Sequence, residues 1–468
     1  FLLDYDDLLV YCKNLLKEHS AIRERLAHTY QYIMVDEYQD TNKLQAEIAY
    51  LLASAHKNIM VVGDDSQSIY SFRGAYFRNI IDFPKVFPGA KVIMLEENYR
   101  STPPILNLAN EVINLASEKF EKVLYTKRKG EHAPLFLEVR DEQSQSRFVA
   151  DRILQLREEG VELKDIAVLF RSSWHSNDLE VELASRSIPF VKYGGQKFVE
   201  AAHIKDVMAY LRLAYNIHDE VSWYRVLLLM RGIGTRTAEK IIREMRTQNK
   251  GSDTDVSGLH KSEDLKNLFA ILKSLHGTEI LPVELIRTFL VYYEPFLKDK
   301  YDDFHKRIND LDSLERIASR YKSLEVFLSD MALEPPERNI VEAGFKDRDD
   351  STLTLSTIHS AKGLEWHTVF LLYVAEGHLP SYLSLEDPDA IEEERRLFYV
   401  AVTRAKENLF LLKPHLDRSP RNFFDKGGMV FTRMSRFLEE IAVLDQLIER
   451  ESTQEPHLMD FPLDDPFV

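Results

Sequence analysis

Two rhythms of apolar and polar positions alternate along the first hundred residues. Helical spacing opens the chain, and two short apolar runs, Tyr32–Val35 and Asn58–Gly63, each end in acidic residues. Strands that break into polar loops between helices predict an α/β unit with a parallel sheet, whose ligands sit beyond the carboxyl ends of the strands. Both acidic clusters would then share one rim. The pattern continues with a helix near Pro104–Ser117 and strands at Leu135–Val139 and Ile166–Phe170. From about 200 to 345 it turns to helix after helix, including Ile204–Tyr215, Ala238–Arg246 and Leu265–Leu275. Strand pattern returns at Thr352–Ser356 and Val369–Val374, followed by an acid-rich loop, a helix at Glu392–Ala405 and a strand at Leu409–Leu412. A second α/β unit split by an all-helical insertion is the expected result. Asn249–Gly258 reads as a polar loop, and the acidic, proline-bearing tail from Glu451 to Val468 as disorder.

Composition narrows the partners. With 468 residues and 44% hydrophobic content, the chain has material for roughly two to four domains. The formal net charge of -16 argues against a binder that neutralises phosphates by an overall excess of Lys and Arg, so any nucleic-acid contact must be local. The one cysteine, Cys12, permits no intrachain disulfide and reads as a buried, inert thiol in a reducing compartment. No apolar run reaches the ~18 residues of a membrane helix, and Phe1 to Asp7 carries acids where a signal peptide would carry bases. The chain is expected neither to be exported nor to span a membrane. It opens at Phe1 directly into amphipathic helical pattern, which suggests a piece of a longer protein.

The candidate chemistry lies where strands end. Ile33-Met34-Val35-Asp36-Glu37-Tyr38-Gln39-Asp40 sets two adjacent carboxylates directly after an expected buried strand. In a nucleotide-hydrolysing site one could hold a magnesium ion through its water shell while the next polarises the attacking water. The alternative is that Asp36 and Asp40 cap a following helix. A second strand ends in Gly63-Asp64-Asp65-Ser66-Gln67-Ser68-Ile69-Tyr70 and continues through Phe72-Arg73-Gly74. A neutral glutamine can contact both a terminal phosphate and a water, while Tyr70 and Phe72 offer faces for base stacking, unless both are simply core. Glu97-Asn98-Tyr99-Arg100-Ser101 adds an aromatic beside a guanidinium.

Taken in order, Val35-Asp-Glu-Tyr-Gln-Asp40, Gly63-Asp-Asp-Ser-Gln-Ser-Ile-Tyr70, Asn98-Tyr-Arg-Ser101, Thr357-Ile-His-Ser-Ala-Lys-Gly-Leu-Glu365 and Arg396-Leu-Phe-Tyr-Val-Ala-Val-Thr-Arg404 resemble the later motifs of superfamily 1 DNA helicases of the UvrD/Rep/PcrA group. The resemblance runs from Asp4-Tyr-Asp-Asp-Leu8 to about Leu438. It implies an α/β fold with two RecA-like P-loop NTPase motor domains, the first incomplete, and an all-helical insertion in the second. Residues 1–97 would be the later part of the first motor domain, 98–200 and 346–448 the two segments of the second, 201–345 the insertion, and 449–468 an acidic tail. It also implies ATP and Mg2+ as cofactors, with Asp36 and Glu37 on the metal side, Glu37 as the base that positions water and Gln67 sensing the terminal phosphate. Tyr99 would stack on adenine, Arg100 and Arg404 would reach the γ-phosphate, and Glu365 would hold the ribose. Tyr70, Phe72, Arg73 and His359 match positions lining a single-strand track. At Phe72 the family usually has tryptophan, so weaker stacking is expected; at Trp366 it commonly has phenylalanine, a packing position.

Within the insertion, Arg231-Gly232-Ile233-Gly234-Thr235-Arg236 precedes a helix, where small residues and free N–H groups can meet a phosphate. An ordinary turn between helices explains it equally; the resemblance points to Gly232, Gly234 and Thr235 as a grip on duplex DNA. Nowhere do the 468 residues contain the Gly-x-x-x-x-Gly-Lys-Ser/Thr (Walker A) loop that cradles phosphates; Ala361-Lys362-Gly363-Leu364 has the wrong order. The expectation is an ATP-dependent 3′–5′ DNA helicase of repair, replication or recombination in the bacterial cytoplasm. It would act on single-stranded and duplex DNA alongside repair or replication proteins, with the Walker A loop supplied upstream. Without that loop the present residues would turn over little ATP. Competing readings are a helicase-like binder without hydrolysis, the motor part of a helicase–nuclease, and a P-loop ATPase acting on RNA or protein.

Overall fold

The computed structural model describes residues 3–130, 132–248, 262–275, 279–332, 352–417 and 430–452. The loop expected at Asn249–Gly258 and the tail after 452 lie outside them.

The first unit holds helices α1 (Tyr5–Glu18), α2 (Ser20–Thr29), α3 (Lys43–Leu52), α4 (Arg78–Ile81) and α5 (Phe83–Val86) around strands β1 (Ile33–Val35) and β2 (Ile59–Val61). The strands pair in parallel, Ile33 beside Ile59 and Val35 beside Val61. A small core of Tyr38, Ala46, Ile80 and Phe83 packs one side. Here the expectation of a buried strand fails: Met34 is 70% exposed and Met60 52%. The pair has no further strand beside it among the described residues, and alternation sends every second side chain to the face that the small core does not cover. The expectation for Cys12 fails too. It is exposed, because α1 fully buries only Leu16.

The second unit is built on one seven-stranded, all-parallel sheet. Its elements begin with α6 (Pro103–Asn114), β3 (Leu135–Val139), α7 (Glu142–Glu158), β4 (Ile166–Phe170), α8 (Asn177–Ser185) and β5 (Phe190–Tyr193). Among the described residues seven helices follow: α9 (Ala202–Tyr215), α10 (Glu220–Leu227), α11 (Thr235–Gln248), α12 (Glu263–Leu275), α13 (Pro282–Lys300), α14 (Phe304–Ala318) and α15 (Leu324–Met331). The chain then resumes with β6 (Leu353–Thr357), β7 (Trp366–Leu371), α16 (Pro388–Val402), β8 (Ala405–Pro414), β9 (Leu416–Asp417), β10 (Val430–Phe431), α17 (Arg436–Glu439), α18 (Leu444–Leu447) and β11 (Glu449–Ser452). Across the sheet the order is β11-β3-β8-β7-β4-β6-β5. Strands β5 and β6 are neighbours, Phe190 beside Leu353, although the seven helices separate them in sequence. The helices therefore leave and re-enter one sheet edge, carrying a core of their own that includes Tyr210, Trp223, Phe289 and Leu314.

Runs of Val, Ile, Leu and Phe covered on both faces make the central strands: all five residues of β4 and of β6 are buried. One apolar layer, with Ile105, Val112 and Phe398, lies on one face and another, with Val149, Ile153 and Leu179, on the other. Glu449–Ser452, expected to begin a disordered tail, instead forms an edge strand on β3, anchored by buried Ile448. No described helix is long and apolar enough to cross a membrane.

Candidate active site and nucleic-acid track

Because β1 and β2 run parallel and in register, the loops Asp36–Asp40 and Gly63–Gln67 emerge side by side. Their closeness depends on a missing side chain: a Cβ on Gly63 would lie 2.2 Å from Gln39 Oε1 and 3.2 Å from the Tyr38 nitrogen. Buried Gln39 staples the loops together. Its Nε2 donates to Glu37 Oε2 at 2.6 Å, and its Oε1 accepts the Asp64 N–H at 3.1 Å. Glu37 itself sits at φ +49°, ψ +41°, a left-handed conformation that costs a residue with a Cβ and clusters at functional sites. The exposed Asp36 and Glu37 side chains are held locally, the Asp36 carboxylate accepting the Glu37 N–H at 2.9 Å. The capping alternative does not hold for α3, whose cap is Asn42 accepting from the Gln45 N–H. Half-buried Gln67 donates to Asp64 Oδ2 at 2.7 Å.

Facing these loops, the second unit contributes mostly cations. Arg100 Nε donates to Glu365 Oε2 at 2.6 Å and Lys406 lies 3.0 Å from Glu365 Oε1. Hydrogen bonds from Arg100 and then Lys406 pull the Glu365 carboxyl down to about 2. Arg404, 1% exposed, donates to the carbonyls of Val400 and Leu364 and to Thr403 Oγ1, each at 3.1 Å. Burial, then repulsion from Arg100, lowers it to about 10, so it stays cationic at neutral pH. Tyr99 beside them is 78% exposed, open to stacking. Lys122 crosses between the units, bonding Asp64 and, at 2.8 Å, Asp65. Burial alone would lower its pKa, but the two carboxylates together raise it. Among the described residues no hydrogen bond or ion pair joins Glu37 or Gln67 directly to Arg100 or Arg404. The clusters face each other through Asp64, whose charge acts on Arg404.

No group of three or more His, Cys, Asp or Glu among the described residues is placed to hold a metal. A magnesium ion ordinarily takes one or two protein carboxylates and completes its shell with water and phosphate oxygens. The exposed Asp36 and Glu37 meet that description; a phosphate-cradling loop is not among these residues.

The track residues do come together. Tyr70 and Phe72 have ring centroids 6.0 Å apart, His359 packs edge-on to Phe72 at 5.4 Å, and the Arg73 guanidinium lies 5.3 Å from Tyr70 and 5.5 Å from Phe72. Tyr70 Oη donates to the His359 carbonyl at 3.0 Å, joining the two units. Phe72 is 65% exposed, so the core reading fails for it, whereas half-buried Tyr70 packs against the second unit's apolar core, in partial agreement with that reading. Burial, then Arg171 and Arg73, pushes the His359 imidazole down to about 4. The ring is therefore neutral at physiological pH. Gly232, Gly234 and Thr235 lie elsewhere, exposed at the start of α11 in the helical unit. Gly232 adopts φ +79°, while a Cβ on Gly234 would meet nothing within 4 Å; the turn needs only the first glycine.

Two family models match this chain in tandem: a UvrD/REP helicase N-terminal domain over residues 2–88 and a UvrD-like helicase C-terminal domain over 93–414. The chain belongs to the UvrD-like helicase family. Its α/β fold with one large parallel sheet is that of the family's RecA-like motors. It is 35% identical to the ATP-dependent DNA helicase PcrA of Staphylococcus aureus strain COL, over 96% of this chain and 63% of that protein. Against the PcrA of Staphylococcus epidermidis strain RP62A the identity is 35%, over 94% of this chain and 62% of the relative. The chain thus spans a little under two thirds of the curated relatives it matches.

Sequence reading of this UvrD-like chain missed Gln39, Gly63, Lys122 and Lys362. Gln39 and Lys362 stand inside the quoted motifs, yet only the pairing of β1 with β2 and the second unit's approach reveal what they touch. Lys122 lies outside any motif, and no local pattern announces it.

Proposed function

We propose that this chain is the larger part of an ATP-dependent DNA helicase that steps along single strands in the 3′ to 5′ direction and unwinds duplex DNA in repair, replication or recombination. Its setting is the bacterial cytoplasm, at the nucleoid. The observation that carries the reading is continuity: one segment, Asp64 to Arg73, runs from the acidic cleft at Gln67 to the aromatic cluster at Tyr70 and Phe72, and touches the second unit throughout. A change in the gap between the units must move both ends.

In this reading Asp36 holds magnesium, which with ATP supplies a polarised terminal phosphate, and Glu37, fixed by Gln39, orients the attacking water. Gln67 contacts the terminal phosphate, Tyr99 stacks on the base and Glu365 holds the ribose. Arg100 and Arg404 meet the charge that develops on the transferred group. Tyr70, Phe72, Arg73 and His359 carry the strand, with Arg73 supplying the local positive charge that an acidic protein needs. Gly232, Gly234 and Thr235 contact duplex phosphates through the start of α11. An upstream segment contributes the phosphate loop and covers the open face of β1 and β2 at Met34 and Met60.

The test is ATP hydrolysis, with and without single-stranded DNA, by these 468 residues alone and joined to the sequence that precedes them. DNA-stimulated turnover is expected only from the longer protein. Robust turnover by the shorter one would overthrow the division of labour, and none from either would favour a binder without hydrolysis.

A further inference from the structure

Between the acidic loop and the aromatic track sits an ammonium group that the roles above leave unused. Lys362, in the loop after β6, has a side chain only 8% exposed. Its Nζ bonds the Asp40 carboxylate, donates to the Gln67 carbonyl at 2.7 Å, and lies 4.0 Å from Glu37 Oε2. It also sits 5.1 Å from the centre of the Tyr70 ring. One cation therefore meets the water-positioning loop, the phosphate-sensing segment and a stacking ring.

The rest of the neighbourhood decides what that contact can do. Ile69 is buried in the second unit's core, Arg396 Nε donates to the Ser68 carbonyl at 2.9 Å, and Glu393 accepts from Ser71. Gln67 to Ser71 is thus clamped to the second unit. Tyr70 meets that loop at two points three residues apart, its Oη donating to the His359 carbonyl and its ring lying under the Lys362 ammonium. Asp40 belongs to the first unit's acidic loop, three residues beyond Glu37, and its second oxygen is buried without a hydrogen-bond partner. A half-buried carboxylate with one oxygen already sealed from water follows its cationic partner, because separation would leave the carboxylate without a counter-charge.

We propose that Lys362 is a positioning residue which transmits occupancy of the single-strand track to the loop bearing Glu37, and so sets how strongly DNA stimulates hydrolysis. The inference rests on the motor reading above. A strand stacking on Tyr70, Phe72 and His359 shifts the 359–362 loop; Lys362 carries that shift to Asp40, and the short Glu37–Asp40 turn carries it to the attacking water.

The experiment uses the full-length protein and oligo-dT, comparing wild type with Lys362→Met, Lys362→Arg, Asp40→Asn and the Lys362→Met/Asp40→Asn double variant, with melting curves confirming folding. For Lys362→Met the ratio of DNA-stimulated to basal turnover should fall about tenfold, while KM for ATP and Kd for oligo-dT stay within roughly twofold. Lys362→Arg should retain part of the ratio, and the double variant should be no worse than Lys362→Met, since both changes remove one interaction. An unchanged ratio in Lys362→Met, or equal proportional loss of basal and stimulated rates, would overturn the proposal while leaving the motor reading intact. Absence of stimulation in wild type would instead overturn the motor reading, and the proposal with it. Should Lys362→Met not fold, Lys362→Arg and Asp40→Asn with their double variant decide: shared losses support the relay, additive losses refute it.

Discussion

The cleft and the track lie at the two ends of one short segment, yet they are made from opposite materials. At the cleft, Asp64 and Asp65 pair with Lys122, Glu365 with Arg100 and Lys406, and Asp40 with Lys362, while Asp36 and Arg404 are held through hydrogen bonds to neutral groups. The track is three rings and one guanidinium, with His359 neutral. A charge network responds steeply to small displacements in a site of reduced dielectric. Stacked rings tolerate sliding and any base sequence. The contrast suits a device in which one end must switch sharply and the other must hold and release.

The comparison breaks most readily at Arg404. In the full-length protein, Arg404→Ala should lower DNA-stimulated hydrolysis by about 10³-fold or more, the scale of a missing transition-state arginine, while single-strand affinity stays largely intact. Equal loss of both would remove Arg404 from the cleft. Because its guanidinium is buried on the carbonyls of Val400 and Leu364, the alanine variant should also melt lower, as two acceptors lose their donors. Arg404→Lys, which keeps a cation there, separates the two effects: it should recover more of the melting temperature than of the rate.

At the track the expected effect is smaller and of the other kind. Phe72→Ala should weaken oligo-dT binding by about 1–3 kcal/mol, roughly 5- to 150-fold in Kd. Phe72→Trp should tighten it, because the larger ring adds stacking face. No change for alanine in a fluorescence anisotropy titration would place the strand elsewhere.

How much of this was legible depended on where each contact came from. Leu135–Val139 and Ile166–Phe170 were read to the residue because short, mainly apolar runs bounded by proline or polar residues have few other uses in an α/β chain. The helix expected at Glu392–Ala405 begins at Pro388 and stops at Val402: Asp387 caps it, Pro388 starts it, and Ala405 already opens β8. The motif residues were legible through resemblance, and the structure sets them on two facing surfaces. Periodicity carried no sign of the Lys122–Asp64 and Lys362–Asp40 pairs, which join residues 58 and 322 positions apart. Nor could it foresee that Met34 and Met60 stay exposed, since an apolar strand reads alike whether or not a neighbour covers it.

The finest distinction concerns protons. An exposed histidine in the track would gain charge between pH 7.5 and 5.5 and strengthen the grip on phosphates, whereas His359, held near 4, should not. The salt dependence of oligo-dT binding should therefore keep the same slope at both values as far as His359 contributes, and His359→Gln should not alter the difference between them. The sign for stability is the reverse. With a native pKa near 4 and an unfolded one near 6.5, the unfolded chain takes up the proton first, so the contribution is whole above about 6.5 and is lost as pH falls toward 4. Replacing His359 with Gln should accordingly narrow the drop in melting temperature between pH 7 and 5. A slope that steepens in acid for wild type but not for His359→Gln would show that the ring is a cation facing the strand, and the track would then be the same kind of site as the cleft.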